Sequence, residues 1–184
     1  MTIVIVIVVV VLVLLALVLL YNALVRRRNQ VDNAWSQIDV QLKRRLDLIP
    51  NLVETVKGYA SHERQALEAV IQARSASLAA APAGPAAQAT ADNMLSGALR
   101  QLFALSEAYP DLKANQNFLS LQEELSSTEG RIAYARQFYN DSVLGYHNAI
   151  HQFPGLLVAR LGGFKEREFY EAEDAARTAP DVRF

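Results

Sequence analysis

The chain opens on an unbroken apolar run. From Ile3 to Leu20 it carries no charged or polar side chain. With Tyr21 to Val25 the run reaches the roughly twenty residues a helix needs to cross a bilayer core. Its many Val and Ile residues would favour strand in water, but in lipid only a helix satisfies its own backbone. A secretory signal carries basic residues first, a shorter apolar core and small residues at a cleavage site. This run has no Lys or Arg before it, is longer, and ends at Tyr21-Asn22-Ala23-Leu24-Val25. The expectation is an uncleaved membrane anchor over residues 1–25.

Arg26, Arg27 and Arg28 close the run, and the pattern then changes. Apolar side chains recur three or four apart at Val31, Ala34/Trp35, Ile38, Leu42, Leu46 and Ile49, the period of an amphipathic helix. No helix breaker lies between Thr2 and Ile49, so the membrane helix is expected to continue into this stretch. Pro50 lacks an amide hydrogen and crowds the preceding turn, which predicts a kink or tight break there. A second helical stretch is predicted from Pro50 to about Leu78. "AAAPAGPAAQATAD", residues 79–92, reads as a linker, followed by a third helix from about Asn93 to Glu107. "AYPDLKAN" turns the chain. The fourth helix has the most regular seam: Phe118, Leu121, Leu125, Thr128, Ile132, Ala135, Tyr139, Ser142 and Tyr146 alternate three and four apart. It is expected to end near "HQFPGLLVARLGGF". Beyond it lies an acidic, aromatic tail in which Phe164, Phe169, Tyr170 and Phe184 are candidate surface anchors.

These elements predict an all-α protein: an N-terminal transmembrane helix, then an antiparallel bundle of long helices, four-helix-type with coiled-coil-like packing. The expected organisation is an anchor (1–25), a helical bundle domain (26–163) and a tail (164–184). Composition agrees with one helical domain plus an anchor: 184 residues, 52% hydrophobic. A net charge of -1 gives no reason to expect a nucleic-acid partner. With no Cys, disulfides, thiolate metal sites and a Cys nucleophile are excluded.

Charge also orients the anchor. The Arg26–Arg28 triplet flanks its C-terminal end, so the positive-inside rule places the helical domain in the cytoplasm; a domain on the opposite side of the membrane is the alternative. A second basic group, Lys43, Arg44 and Arg45, lies about 25 Å further along by helix rise and is read as a solvated face.

Chemistry is sparse. His62 is followed four residues later by Ala66, so the zinc-protease HExxH pattern is absent. His147 and His151 have the i, i+4 spacing of metal ligands, but no Cys or third His is near, and a solvated helix face is the reading taken. No Glu-x-x-His supports a di-iron bundle. No catalytic, cofactor-binding or metal residue is assigned, and no enzymatic activity is expected. Trp35 and most other aromatics are assigned to the core. Anchored copies share a plane at high effective concentration, so self-association is expected, with Val31, Trp35, Ile38 and Leu42 as the candidate oligomer contact.

Two long segments carry a family likeness. "YNALVRRRNQVDNAWSQIDVQLKRRLDLIPNLVETVKGYASHERQALEAVIQAR" and "NFLSLQEELSSTEGRIAYARQFYNDSVLGYHNAIHQFPG", with the ending "FYEAEDAARTAPDVRF", resemble the LemA family of bacterial membrane proteins. The resemblance implies a single-pass anchor followed by long antiparallel helices. It implies no activity, and it hints at envelope partners such as membrane proteases. The expected function is a membrane-anchored, self-associating helical scaffold or adaptor with the lipid bilayer as its first partner. The alternatives are a membrane-shaping or lipid-organising assembly and, resting only on His147 and His151, a metal-binding bundle.

Overall fold

The structure, a computed structural model, describes residues 1–170, and no strand occurs among them. Six α-helices follow one another: α1 (Thr2–Tyr59), α2 (Arg64–Ala80), α3 (Pro85–Ser106), α4 (Pro110–Lys113), α5 (Gln116–His151) and α6 (Gly155–Leu161). The all-α expectation holds. The chain forms two compact units. The first comprises 1–37 and 137–167; the second comprises 38–136 and 168–170.

α1 is longer than expected. Of the kink or tight break expected at Pro50 the break does not occur: the helix runs through Pro50 to Tyr59 and the interruption comes at 60–63. The reason is local. A proline in a helix deprives the carbonyl four residues earlier of its donor, here that of Leu46. The Arg74 side chain fills the gap: its Nε donates to the Leu46 oxygen at 3.0 Å. Helix α2 thus supplies what the Pro50 ring removes, and the helix survives its breaker.

The predicted linker is also mostly helix. Residues 81–83 form one 3-10 turn, Gly84 takes φ +101°, and α3 starts at once with Pro85 in its first turn. Proline is well suited to that position, because its missing amide is one of the four that a helix start leaves unbonded. The prolines of this stretch therefore start elements instead of keeping the chain irregular. Pro110 does the same for α4. Asn115 caps α5: its Oδ1 accepts the Phe118 amide at 3.0 Å, and its Nδ2 donates to the Tyr59 hydroxyl at 2.9 Å.

The second unit holds one apolar core, built from Ile49, Leu52 and Val56 of α1, Val70 of α2, Leu95 and Leu102 of α3, Leu112 of α4 and Phe118 of α5. The α5 seam goes where its period sends it. Leu121 is half-buried and the other eight positions are buried. The polar members of the seam are satisfied inside the helix: Thr128 donates to the Glu124 carbonyl at 2.7 Å and Ser142 to that of Phe138 at 2.8 Å.

Candidate functional site

In the first unit, α1 supplies an apolar segment that none of the described residues buries. Every side chain from Met1 to Leu19 is exposed, and this is the one helix among the described residues long and apolar enough to cross a membrane. Beyond it Arg26, Arg27 and Arg28 are exposed on the same helix. Arg27 donates to the Gly145 carbonyl of α5 at 3.3 Å, and the Arg28 guanidinium stands 5.5 Å from the centre of the Phe164 ring. Phe164 also meets Tyr21 edge-on, with ring centres 5.5 Å apart.

The segment after α6 is strapped to this unit. The Tyr146 hydroxyl donates to the Lys165 carbonyl at 2.8 Å, and burial pushes the Tyr146 phenol up from its ordinary value. The Arg167 amide donates to His147 Nε2 at 3.1 Å, His151 Nε2 lies 2.9 Å from the Glu166 carboxylate, and the Arg167 guanidinium pairs with Asp32 at 2.8 Å. His147 and His151 stack with ring centres 6.0 Å apart. They are therefore engaged with the strap, and no cluster of three or more metal-ligating side chains occurs among the described residues. Residues 164–170, expected to be an extended or partly helical tail, contain no helix, and Phe184 lies outside the described residues.

The second unit contains a polar centre that the sequence reading missed. Arg45 is 1% exposed. Its guanidinium donates to Asp92 at 2.8 Å and to the Ser96 hydroxyl at 2.8 Å, and it lies 3.5 Å from Glu129. Burial pushes the Asp92 carboxyl up, opposed by the Arg45 charge and hydrogen bond. Tyr170 closes this centre: burial, with the neighbouring Asp92 charge, raises its phenol. Arg45 thus departs from the solvated basic patch, of which Lys43 and Arg44 remain exposed. The signal was present. Ile38, Leu42, Arg45, Ile49, Leu52 and Val56 alternate four and three apart, so Arg45 occupies a seam position. Asp92 was hidden by its place in a stretch read as linker.

The side chains expected to form an oligomer contact face the chain's own interior. Ile38 is 0% exposed, Val31 and Leu42 are buried, and half-buried Trp35 packs on Tyr139 with ring centres 5.5 Å apart. These four side chains build the interior of a single chain, because the amphipathic face of α1 is covered by the chain's own helices.

An exposed apolar helix leading without interruption into an all-helical body defines a class: helical proteins whose N-terminal segment suits membrane anchoring. The sequence model of the LemA family matches residues 34–184, and the chain belongs to that family. It is similar to the magnetosome protein MamQ of Magnetospirillum gryphiswaldense, 26% identical over 86% of this chain and 67% of the relative. It is likewise similar to protein LemA of Metamycoplasma hominis, 27% identical over 88% of this chain and 73% of that protein. A second MamQ, from Paramagnetospirillum magneticum, is 25% identical over 86% of this chain and 67% of the relative.

Proposed function

We propose that the protein is a membrane-anchored helical scaffold that associates with copies of itself and offers its helical surface to other envelope proteins, membrane proteases among them, without catalysing a reaction. The observation that carries this reading is α1. One helix bears an exposed apolar stretch of spanning length and, with no break, the face on which the chain's own core is built. The charge of Arg26–Arg28 favours an inner-membrane location with the helical body on the cytoplasmic side. Self-association is supported by the outer face of α2, where Ile71 and Leu78, seven residues apart, are each about half exposed.

Light scattering of the full chain in mild detergent tests the reading. A small defined oligomer that dissociates in the Ile71→Glu, Leu78→Glu double variant is the expected result. A monomer at every concentration refutes self-association, and large closed assemblies that deform vesicles favour the membrane-shaping alternative. Ala83, exposed in the 3-10 turn, is a position for a single cysteine in a chain that has none. In intact cells this cysteine is expected to be shielded from an impermeant thiol reagent; labelling there places the body outside.

A further inference from the structure

α6 is short, apolar and oddly placed. Gly155, its first residue, stands against Leu24 of α1. Its last turn, Val158 and Leu161 with Gly162 beyond, lines a groove of about 380 Å³ with Leu17, Val18 and Tyr21. The helix therefore runs back along α1, from the level of Leu24 toward the apolar stretch. Its outward side chains are apolar as well: Leu157 is 54% exposed and Leu161 89%, and Phe153 just before the helix is 80% exposed. Leu157 and Leu161 are four residues apart and share one face of α6, and Phe153 lies in the turn that precedes it. Such an exposed patch has no place in water, yet it is continuous with the exposed surface of the anchor.

The levels along α1 say how deep the patch reaches. Leu17 and Val18 precede Arg26 by eight or nine residues, roughly 12–14 Å at the helical rise per residue. With the Arg26–Arg28 triplet at the headgroups, a layer about 5–8 Å thick, Leu161 lies several ångströms below the boundary between headgroups and acyl chains, within the roughly 5–10 Å to which amphipathic helices bury their apolar face. A helix end at that depth needs its carbonyls bonded within the chain. Two of its last four are bonded so: the Gly162 amide donates to the Val158 oxygen at 2.8 Å, and the Phe164 amide donates to that of Ala159 at 3.0 Å. Gly163, at φ +67°, makes the left-handed turn that this closure requires, and the chain then climbs back to Phe164 beside Tyr21 and Arg28. Arg160 is exposed among these apolar residues, a long side chain able to carry its charge back up to the headgroups.

We propose that α6 and the Gly162–Gly163 turn form a wedge that inserts into the leaflet flanked by Arg26–Arg28, with an anionic lipid surface as its ligand. The proposal rests on the reading that the start of α1 spans a bilayer, and the experiment separates the two. Single cysteines replace Val10, Phe153, Leu161 and Gly130 in the full chain, all exposed positions, and each carries a nitroxide label. The variants are placed in vesicles of phosphatidylglycerol and phosphatidylcholine, and collision rates with oxygen and with a water-soluble nickel complex are compared. The expected oxygen-to-nickel ratio is highest at Val10, several-fold above that of Gly130 at Leu161, and intermediate at Phe153. A Leu161 ratio equal to that of Gly130, with Val10 still deep, overturns the wedge and leaves the span intact. A Val10 ratio as low as that of Gly130 overturns the span and the wedge with it.

Discussion

The bond from Arg74 to the Leu46 carbonyl gives the sharpest test of how α1 tolerates Pro50. Replacing Arg74 with Met keeps most of the stem and removes the donor. The carbonyl then has neither a helical amide nor a side chain to bond. A hydrogen bond to a charged group contributes about 1.5–3 kcal/mol, and an unsatisfied buried acceptor costs about 1–3 kcal/mol. Arg74 is half-buried, so water reaches part of the gap, and a net loss of about 1–2 kcal/mol is expected. For a protein of this length each kcal/mol shifts the melting temperature by about 2–4 °C, which gives a fall of about 2–8 °C. The second arm is Pro50→Ala, which restores an amide at the position that bonds Leu46 and removes the ring clash. In that background Arg74→Met should cost less than about 1 kcal/mol, because the carbonyl no longer needs Arg74. Thermal unfolding of the full chain in detergent, followed by circular dichroism for the four proteins of this cycle, reads out the coupling. Equal losses with and without the proline would refute the compensation and reduce the Arg74 contact to incidental packing.

Arg45→Met is expected to cost about 3–5 kcal/mol, because it leaves the Asp92 carboxylate buried without its cation, whereas Arg45→Met with Asp92→Leu should recover most of the loss. The pH dependence has a definite sign. Burial already raises Asp92, and removing Arg45 removes the two largest influences that lower it, so the variant binds a proton in the folded state at a pH where the unfolded chain does not. Its deficit relative to the parent is thus greatest above the folded-state titration of Asp92 and shrinks as the pH falls toward the ordinary value of 3.8; urea midpoints across that range measure it. Ile38→Asp places a charge at a position with 0% exposure and is expected to unfold the helical body, not merely to separate copies. A variant that keeps its cooperative melt while losing its oligomer would return Ile38 to the contact between chains.

Much of this architecture was legible in one dimension. Residues 3–20 form a helix suited to lipid because no polar side chain interrupts them, whatever their strand preference in water. The seam of α5 is buried because positions three and four apart share a face, and that holds before any partner is known. What the one-dimensional pattern could not supply was the partner. Pro50 leaves the Leu46 carbonyl without its helical donor, and the donor that replaces it lies 28 residues away in sequence. Arg45 sits on an apolar face, yet its charge is acceptable there only because α3 delivers Asp92 and Ser96 from a stretch whose prolines look like a linker. Val31, Ile38 and Leu42 form a stripe that must be buried, but periodicity is silent on whether another copy or the chain's own helices bury it. Local pattern therefore determined the all-helical class, the apolar N-terminal segment and the buried faces, since these depend on residues within a turn or two. Tertiary structure decided which breakers are rescued, which charges are paired and which faces stay open, because each depends on groups that only the folded chain brings within hydrogen-bonding distance.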